Sequence, residues 1–351
     1  MRGMFFVSLT LSFLFIQAAV LRASTLLVPG SYPNIQAAIN AASPGDVVLV
    51  SPGQYPQNLD YLGKAIAVRS VSGPAVTTIN VNGGTAVNME SNSELTGFTV
   101  SGAAADFGAG VAISGVGQLI KGNIFQNDTE TAGGFGAAIG GNNASPTVED
   151  NIFRNNSADS QSLSGVVCFV NSSSPVIVNN VFYNNPTRAM NFILPQGATP
   201  EVINNTVVGN TVGIAVQVFA PGNIFRNNII ADNGTGLASG HIGLTWQNNL
   251  LFDNTTQYTD ISLTGTMGNL EGDPRFAGAT DFHLTPGAAA LAAGSPLLAP
   301  AVDFDGTPRP PSSIDIGAYQ LSVPEPSGFL LLLIVSIPCL YLRPGRRLRS
   351  N

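Results

Sequence analysis

The phrase Asn123-Ile124-Phe125-Gln126-Asn127 returns as Asn151-Ile152-Phe153-Arg154-Asn155 and again as Asn180-Val181-Phe182-Tyr183-Asn184. Looser copies follow at Asn205-Thr206-Val207-Val208-Gly209-Asn210, Asn228-Ile229-Ile230-Ala231-Asp232-Asn233 and Asn249-Leu250-Leu251-Phe252-Asp253-Asn254. The first Asn of each phrase advances by 28, 29, 25, 23 and 21 residues. A period of this size marks a unit that stacks on copies of itself to bury its apolar face. Each period also holds two further short apolar runs, as in Gly110-Val111-Ala112-Ile113 with Leu119-Ile120, or Ala137-Ala138-Ile139 with Pro146-Thr147-Val148. Three short strands per coil predict an all-β solenoid with parallel pairing between coils. Equivalent positions then lie ~4.8 Å apart. Phe125, Phe153, Phe182, Val207, Ile230 and Leu251 are expected to form one inner apolar ladder. Asn tolerates left-handed geometry at bends and bonds to local backbone groups. The doublets Asn179-Asn180, Asn204-Asn205, Asn227-Asn228 and Asn248-Asn249, with Asp150-Asn151, therefore read as a structural ladder; a sugar-binding array is the alternative.

Outside the repeats the chain reads as caps and address labels. Residues 1–23 look like a secretory signal peptide, with Arg2, the apolar run Met4 to Val20 and the small Ala23 before the cut. An uncleaved membrane anchor is the alternative. The segment 24–62 is expected to be an N-terminal cap and first coil. Asn34 is placed to cap a helix whose apolar face is Ile35, Ala38, Ile39 and Ala42, and Ser43-Pro44-Gly45 ends it. Coils fill 63–270, and 271–321 is expected to close the other end of the stack, because a parallel stack leaves an open edge at each end. The tail 322–351 is a short Val323-Pro324-Glu325-Pro326-Ser327 motif, the apolar Gly328 to Leu342, and the cluster Arg343, Arg346, Arg347 and Arg349.

Two parts of this pattern resemble known families. The segment Tyr32-Pro33-Asn34-Ile35-Gln36-Ala37-Ala38-Ile39, with Pro44-Gly45-Asp46-Val47-Val48-Leu49-Val50-Ser51-Pro52-Gly53-Gln54-Tyr55, resembles the start of right-handed parallel β-helix proteins of the pectin-lyase-like superfamily, including its NosD-like members. The resemblance implies a single-stranded right-handed parallel β-helix with an N-terminal capping helix. Residues 273–319, with Gly294-Ser295-Pro296 and Ile314-Asp315-Ile316-Gly317, resemble the choice-of-anchor Q module, although Gly287-Ala288-Ala289-Ala290 stands where that module usually carries an Asp. The tail resembles the PEP-CTERM sorting signal. It implies export in an exopolysaccharide-making bacterium, processing by an exosortase-type enzyme near Pro324-Glu325-Pro326, and transient or permanent anchoring by a transmembrane helix.

Composition narrows the partners. Only 10% of the residues are charged. Of 14 Lys and Arg, six lie in the leader and tail, and of 21 Asp and Glu one does, so the body carries 8 bases against 20 acids, about −12. This excludes nucleic acid, whose binding needs clustered bases. It also repels polyanions unless a basic groove or bridging cation intervenes. Two Cys, one of them Cys339 in the tail, make no disulfide framework; Cys168, in Val166-Val167-Cys168-Phe169-Val170, reads as a buried small hydrophobe.

Candidate chemistry is sparse. Lyases of this superfamily use Lys or Arg as base, often with Ca²⁺ on acidic residues, and related hydrolases use paired Asp beside His. The chain has no Asp-Asp doublet and no Gly-His-Gly, and His241 lacks acidic neighbours. The densest charges are Lys121, Glu149, Asp150 and Arg154, with Arg188 and Arg226 further along. Coils in register would set Lys121 beside Glu149. Lys121 or Arg154 is the candidate base and Glu149 or Asp150 the candidate cation ligand; a surface ion pair is the plain alternative. Asp303, Asp305 and Asp315 are candidate Ca²⁺ ligands, with turn carboxylates as their alternative. No other cofactor is evident. Two functions follow: an exported cell-surface or matrix protein that binds extracellular polysaccharide without strong catalysis, or a polysaccharide lyase or glycoside hydrolase.

Overall fold

The computed structural model describes residues 23–159, 164–195, 197–217, 222–239, 244–259 and 265–321. Residues 1–22, within the expected leader, residues 322–351, the expected sorting tail, and His241 lie outside the described residues. The chain winds into a parallel β-solenoid of about ten turns, one for each strand of its 10-stranded sheet. Three faces follow one another within a coil. The first coil shows them as Val47–Val50, Gly53–Tyr55 and Leu59–Asp60. Each strand pairs in parallel with its equivalent one coil on: Val48 with Val68, Gln54 with Thr78, and Leu59 with Val87.

The helix Ile35–Ala41 forms as its signals demand. The Asn34 side chain accepts from the Ala37 N–H at 2.8 Å, and Ile35, Ala38 and Ile39 are buried. Lys64 Nζ donates to the Ile39 and Asn40 carbonyls, satisfying the other helix end. One strand was not anticipated. Thr25–Val28 precedes the helix and pairs in parallel with Val47–Val50, so the helix is an excursion inside the first turn. This strand follows closely on the apolar run Met4 to Val20, which hides its own periodicity.

The inner ladder has the expected register. Phe125 pairs with Phe153, Phe153 with Phe182, Phe182 with Val207, Val207 with Ile230 and Ile230 with Leu251, and all six are buried. The phenyl rings stack, with centroids 5.1 Å apart for Phe125–Phe153 and 4.4 Å for Phe153–Phe182. Each such side chain stabilises by ~2–3 kcal/mol through burial.

The Asn doublets divide two tasks between their members. The first residue turns the corner in the left-handed region, with φ of 55° at Asp150 and Asn179, 54° at Asn204 and 56° at Asn227. The second points inward and joins a buried rail. Asn151 N–H donates to Asn180 Oδ1 at 2.9 Å, Asn180 N–H to Asn205 Oδ1 at 2.9 Å and Asn205 N–H to Asn228 Oδ1 at 3.0 Å. Each Nδ2 also reaches a carbonyl one coil back, as Asn180 does to Val148 at 2.8 Å and Asn205 to Ile177 at 2.9 Å. A second rail runs through the other corner of the same strands: Asp128, Asn156, Asn185, Asn210, Asn233 and Asn254. The Asn array is therefore structural, because its amides are buried and bonded to one another.

The segment expected to close the C-terminal end lies instead along the flank. Phe282, Leu284, Ala290, Ile316 and Ala318 pack on Val181, Tyr183, Val208, Ile229 and Leu250, the outward residues of the second face. The corner Asn residues dock it. Asn179 Nδ2 donates to the Val302 carbonyl at 3.0 Å, Asn204 Nδ2 to Gly317 at 3.1 Å, Asn227 Nδ2 to Ser295 at 2.8 Å and Asn248 Nδ2 to Ala293 at 3.2 Å. Arg309, buried between the two, donates to Asn179 Oδ1 at 3.1 Å and to the Gly317 and Ala318 carbonyls, both at 3.0 Å. Burial pulls its guanidinium pKa down to about 10, against the opposing pull of Asp303, Asp315 and Asp150.

Two predictions follow from these contacts. Asp128 occupies an Asn position: its Oδ1 accepts from the Ala103 N–H at 3.0 Å, but its Oδ2 has no partner where an amide would donate. Burial pushes the Asp128 carboxyl well above its ordinary range. The folded state thus binds the proton more tightly, and its stability falls as pH rises from the unfolded value toward the folded one. Asp128→Asn is expected to raise stability by at least ~1 kcal/mol at pH 7, with the gain shrinking toward pH ~4; Asn180→Asp is expected to cost at least ~2 kcal/mol. Denaturant melts of the two variants at both pH values check the pair. The second concerns His283, whose ring bridges Asp281 Oδ1 at 2.5 Å and Asp305 Oδ2 at 2.6 Å and packs on Tyr319. Burial alone would lower its pKa, but the hydrogen bonds and charges of the two carboxylates outweigh it and raise it. The bridge is complete below the ordinary histidine value and is lost as pH rises through the raised folded value, an effect of under ~1 kcal/mol at this exposure. Amide exchange at Gly306, Thr307 and Arg309 should quicken over that interval, and His283→Gln should remove the pH dependence.

Candidate functional site

The structure brings together only part of the predicted charge group. Lys121 and Glu149 pair in register on the outside of the first face. Lys121 Nζ lies 2.6 Å from Glu149 Oε1 and 3.3 Å from Asp150 Oδ2. Desolvation works to lower the Lys121 pKa, but the hydrogen bond and charge of Glu149, with Asp150, reverse it and the net shift is upward. Lys121 is thereby held as a cation, the opposite of what a proton-abstracting base requires. Two coils before Lys121, Arg69 makes two 2.6 Å bonds to the Glu94 carboxylate, so this face carries a run of ion pairs.

Arg154 stands elsewhere, in the strand Ile152–Arg154 of the second face. Its Nε and Nη2 hold Gln126 Oε1 at 2.9 and 2.7 Å, and its Nη1 holds the Tyr183 hydroxyl at 3.1 Å. Arg226 is buried under the flanking segment, donating to the Leu297 carbonyl at 3.0 Å and to Gln247. Arg188 reaches the Ser164 carbonyl at 3.4 Å.

The three candidate Ca²⁺ ligands are separated by role. Asp303 Oδ1 accepts the Asp305 and Thr307 N–H groups at 3.0 and 2.7 Å, and its Oδ2 accepts the Gln320 N–H at 2.8 Å. Asp315 accepts the Ala292 and Leu321 N–H groups, each at 2.7 Å. Asp305 faces His283. Among the described residues, no group of three or more His, Cys, Asp and Glu is arranged to hold a metal ion. Cys168 is buried, and desolvation pushes its thiol pKa upward.

A different surface has the shape of a site. The third face carries an open groove of about 700 Å³ near the N-terminal coils. Its polar lining is Asp60, Asn88, Glu90, Ser114, Asn142 and Asn143. Alternation along the strands explains the convergence. Asp60 pairs with Asn88, Asn88 with Ala112 and Ser114 with Asn142, so outward positions of successive coils form the floor. Phe107 lines the groove from the strand Ala104–Phe107, which pairs with Thr129–Phe135 in a separate two-stranded sheet. Asn171 Nδ2 donates to Asn142 Oδ1 at 2.8 Å and extends the amide surface.

Two carboxyl groups share this groove. Asp60 Oδ1 is braced by the Leu62 N–H at 2.8 Å. Glu90 Oε2 is without a partner. Burial pushes the Glu90 carboxyl up, the Gly63 N–H opposes this, and the charge of Asp60 adds to the rise. Sequence reading missed this pair because it sought adjacent acids or a neighbouring His. The usable signal was coil register, which sets residues 30 apart on one face.

No helix of the described residues is long and apolar enough to cross a membrane. No curated protein matches the chain. Among solved structures it is similar to pectate lyase Pel9A at 12% identity and a TM-score of 0.39, covering 87% of this chain and 98% of that one. It is similar to a pectin methylesterase from carrot at 10% identity and a TM-score of 0.31, covering 70% and 87%. It is also similar to an alginate lyase from Paenibacillus sp. str. FPU-7 at 11% identity and a TM-score of 0.25, covering 71% and 97%. The family model for the right handed beta helix region matches residues 66–256, more than half of the chain, and the protein belongs to that family.

Proposed function

We propose that this is an exported bacterial protein of the cell surface or matrix that binds extracellular polysaccharide along the third face, without strong catalysis. The groove of Asp60, Asn88, Glu90, Ser114, Asn142 and Asn143 beside Phe107 carries this reading. Amides, a hydroxyl and an aromatic ring on a fixed β-surface suit a chain of sugar hydroxyls and CH faces. Export rests on the leader and on the PEP-CTERM-like tail, which an exosortase-type enzyme would process. Contact with membrane is confined to those two segments, and the acidic body argues against nucleic acid.

The second reading is a glycoside hydrolase or lyase. What favours it is that two carboxyl groups, Asp60 and Glu90, share one groove, with burial raising the Glu90 pKa as a general acid requires. Lys121 with Arg154 supports it less, because each is already engaged by neighbours on a different face.

Affinity electrophoresis in a panel of extracellular glycans tests binding. Phe107→Ala with Asn142→Ala is expected to weaken retention at least ~10-fold, about 1.4 kcal/mol, while Lys121→Ala with Arg154→Ala leaves it unchanged. The same panel, incubated with and without Ca²⁺, is expected to yield no unsaturated or new reducing ends. Product release abolished by Glu90→Gln would establish the hydrolase reading instead.

A further inference from the structure

We infer that the groove selects glycans bearing free amines, such as a deacetylated amino-sugar polymer, and rejects uronates. This rests on the groove being the glycan site. The inference comes from the charges that face a ligand there. The groove's ionisable lining is Asp60 and Glu90, with no Lys, Arg or His. Both carboxyl groups rise from the outer side of neighbouring coils, whose backbones lie ~4.8 Å apart.

Among the described residues up to 159, whose coils build the groove, no cation is available to reverse this sign. Lys64 is fastened to the Ile39 and Asn40 carbonyls, both at 2.8 Å. Arg69 is held by both oxygens of Glu94, and Lys121 by Glu149 and Asp150. Arg154 is held by Gln126 and Tyr183. Each of these residues is committed on another face or to the helix. The groove therefore keeps uncompensated negative charge inside a body that is already acidic.

Glu90 sharpens the selection. Its Oε2 is closed off from solvent without a hydrogen-bond partner, and burial, with the nearby charge of Asp60, makes its ionised form costly. An ammonium donates to the exposed Asp60 carboxylate, and its charge offsets that of both carboxyl groups. A uronate carboxylate would add a third negative charge with no donor side chain stronger than an amide to receive it. Neutral sugars meet the amides and Phe107 but leave the carboxyl pair uncompensated.

Calorimetric titration of the whole protein with four tetrasaccharides tests this: fully deacetylated glucosamine, its N-acetylated counterpart, a glucose tetramer and a galacturonate tetramer. The amine tetramer is expected to bind at least ~10-fold more tightly than the N-acetylated one. Salt should erode that margin, and the isosteric Asp60→Asn, Glu90→Gln double variant should bring the affinities for the amine and N-acetylated tetramers together. Equal binding of the amine and N-acetylated forms, or tighter galacturonate binding, overturns the selectivity; the groove reading then stands if Phe107→Ala still weakens binding. Binding that is indifferent to Phe107→Ala and Asn142→Ala overturns the groove reading and this inference with it.

Discussion

The buried amide of Asn is the contact on which this solenoid depends. A parallel stack pairs its strands coil to coil, but between strands the chain must turn, and a turning backbone exposes N–H and C=O groups to an apolar interior. Asn supplies an acceptor for the N–H of the preceding coil and two donors for carbonyls around it. Asn180 does all of this at once, accepting from Asn151 and donating to Val148, Val178 and Asn205. Because the coils from Asn123 onward repeat the arrangement, the two rails satisfy their corners while the Phe and aliphatic ladder fills the space between them. Leaving one such group unmet costs ~1–3 kcal/mol, comparable to the gain from a buried aliphatic side chain.

Much of this was legible in the residues. The phrase around Phe125 disclosed the coil period, the inner ladder and the register of Lys121 with Glu149. The helix followed from Asn34 and the spacing of Ile35, Ala38 and Ile39. The path of residues 271–321 did not. Its signal was present in the outward positions of the second face: Ile124 and Gln126, then Ile152 and Arg154, give way to Val181 and Tyr183, Ile229 and Ala231, Leu250 and Phe252. Strands buried on both faces read as unbroken apolar runs. Those coils were thus announcing a cover, which a reading focused on the stack's ends did not use.

The site was harder to see, for a physical reason. Chemistry on a solenoid is assembled across coils, so its members are distant in sequence and their alignment depends on the lengths of all the bends between them. Asp60 and Glu90 share a groove because two short strands pair, Leu59 with Val87 and Asp60 with Asn88. Lys121, Glu149 and Asp150 sit close enough in the pattern to be paired by inspection, whereas Arg154 lies past the corner at Asp150 and faces another way. One left-handed residue was sufficient to divide the group.

The docking of the flanking segment on corner Asn residues bears on how this chain could change length. A bare solenoid tolerates duplication or loss of a coil, since each coil meets only its neighbours. Here Asn179, Asn204, Asn227 and Asn248, on four successive coils, hold Val302, Gly317, Ser295 and Ala293 in fixed order. A coil added or removed within that span would leave the segment out of step with its holders. The segment therefore acts as a gauge of coil number, and variation in length is confined to the turns before Asn179, which are the turns that carry the groove.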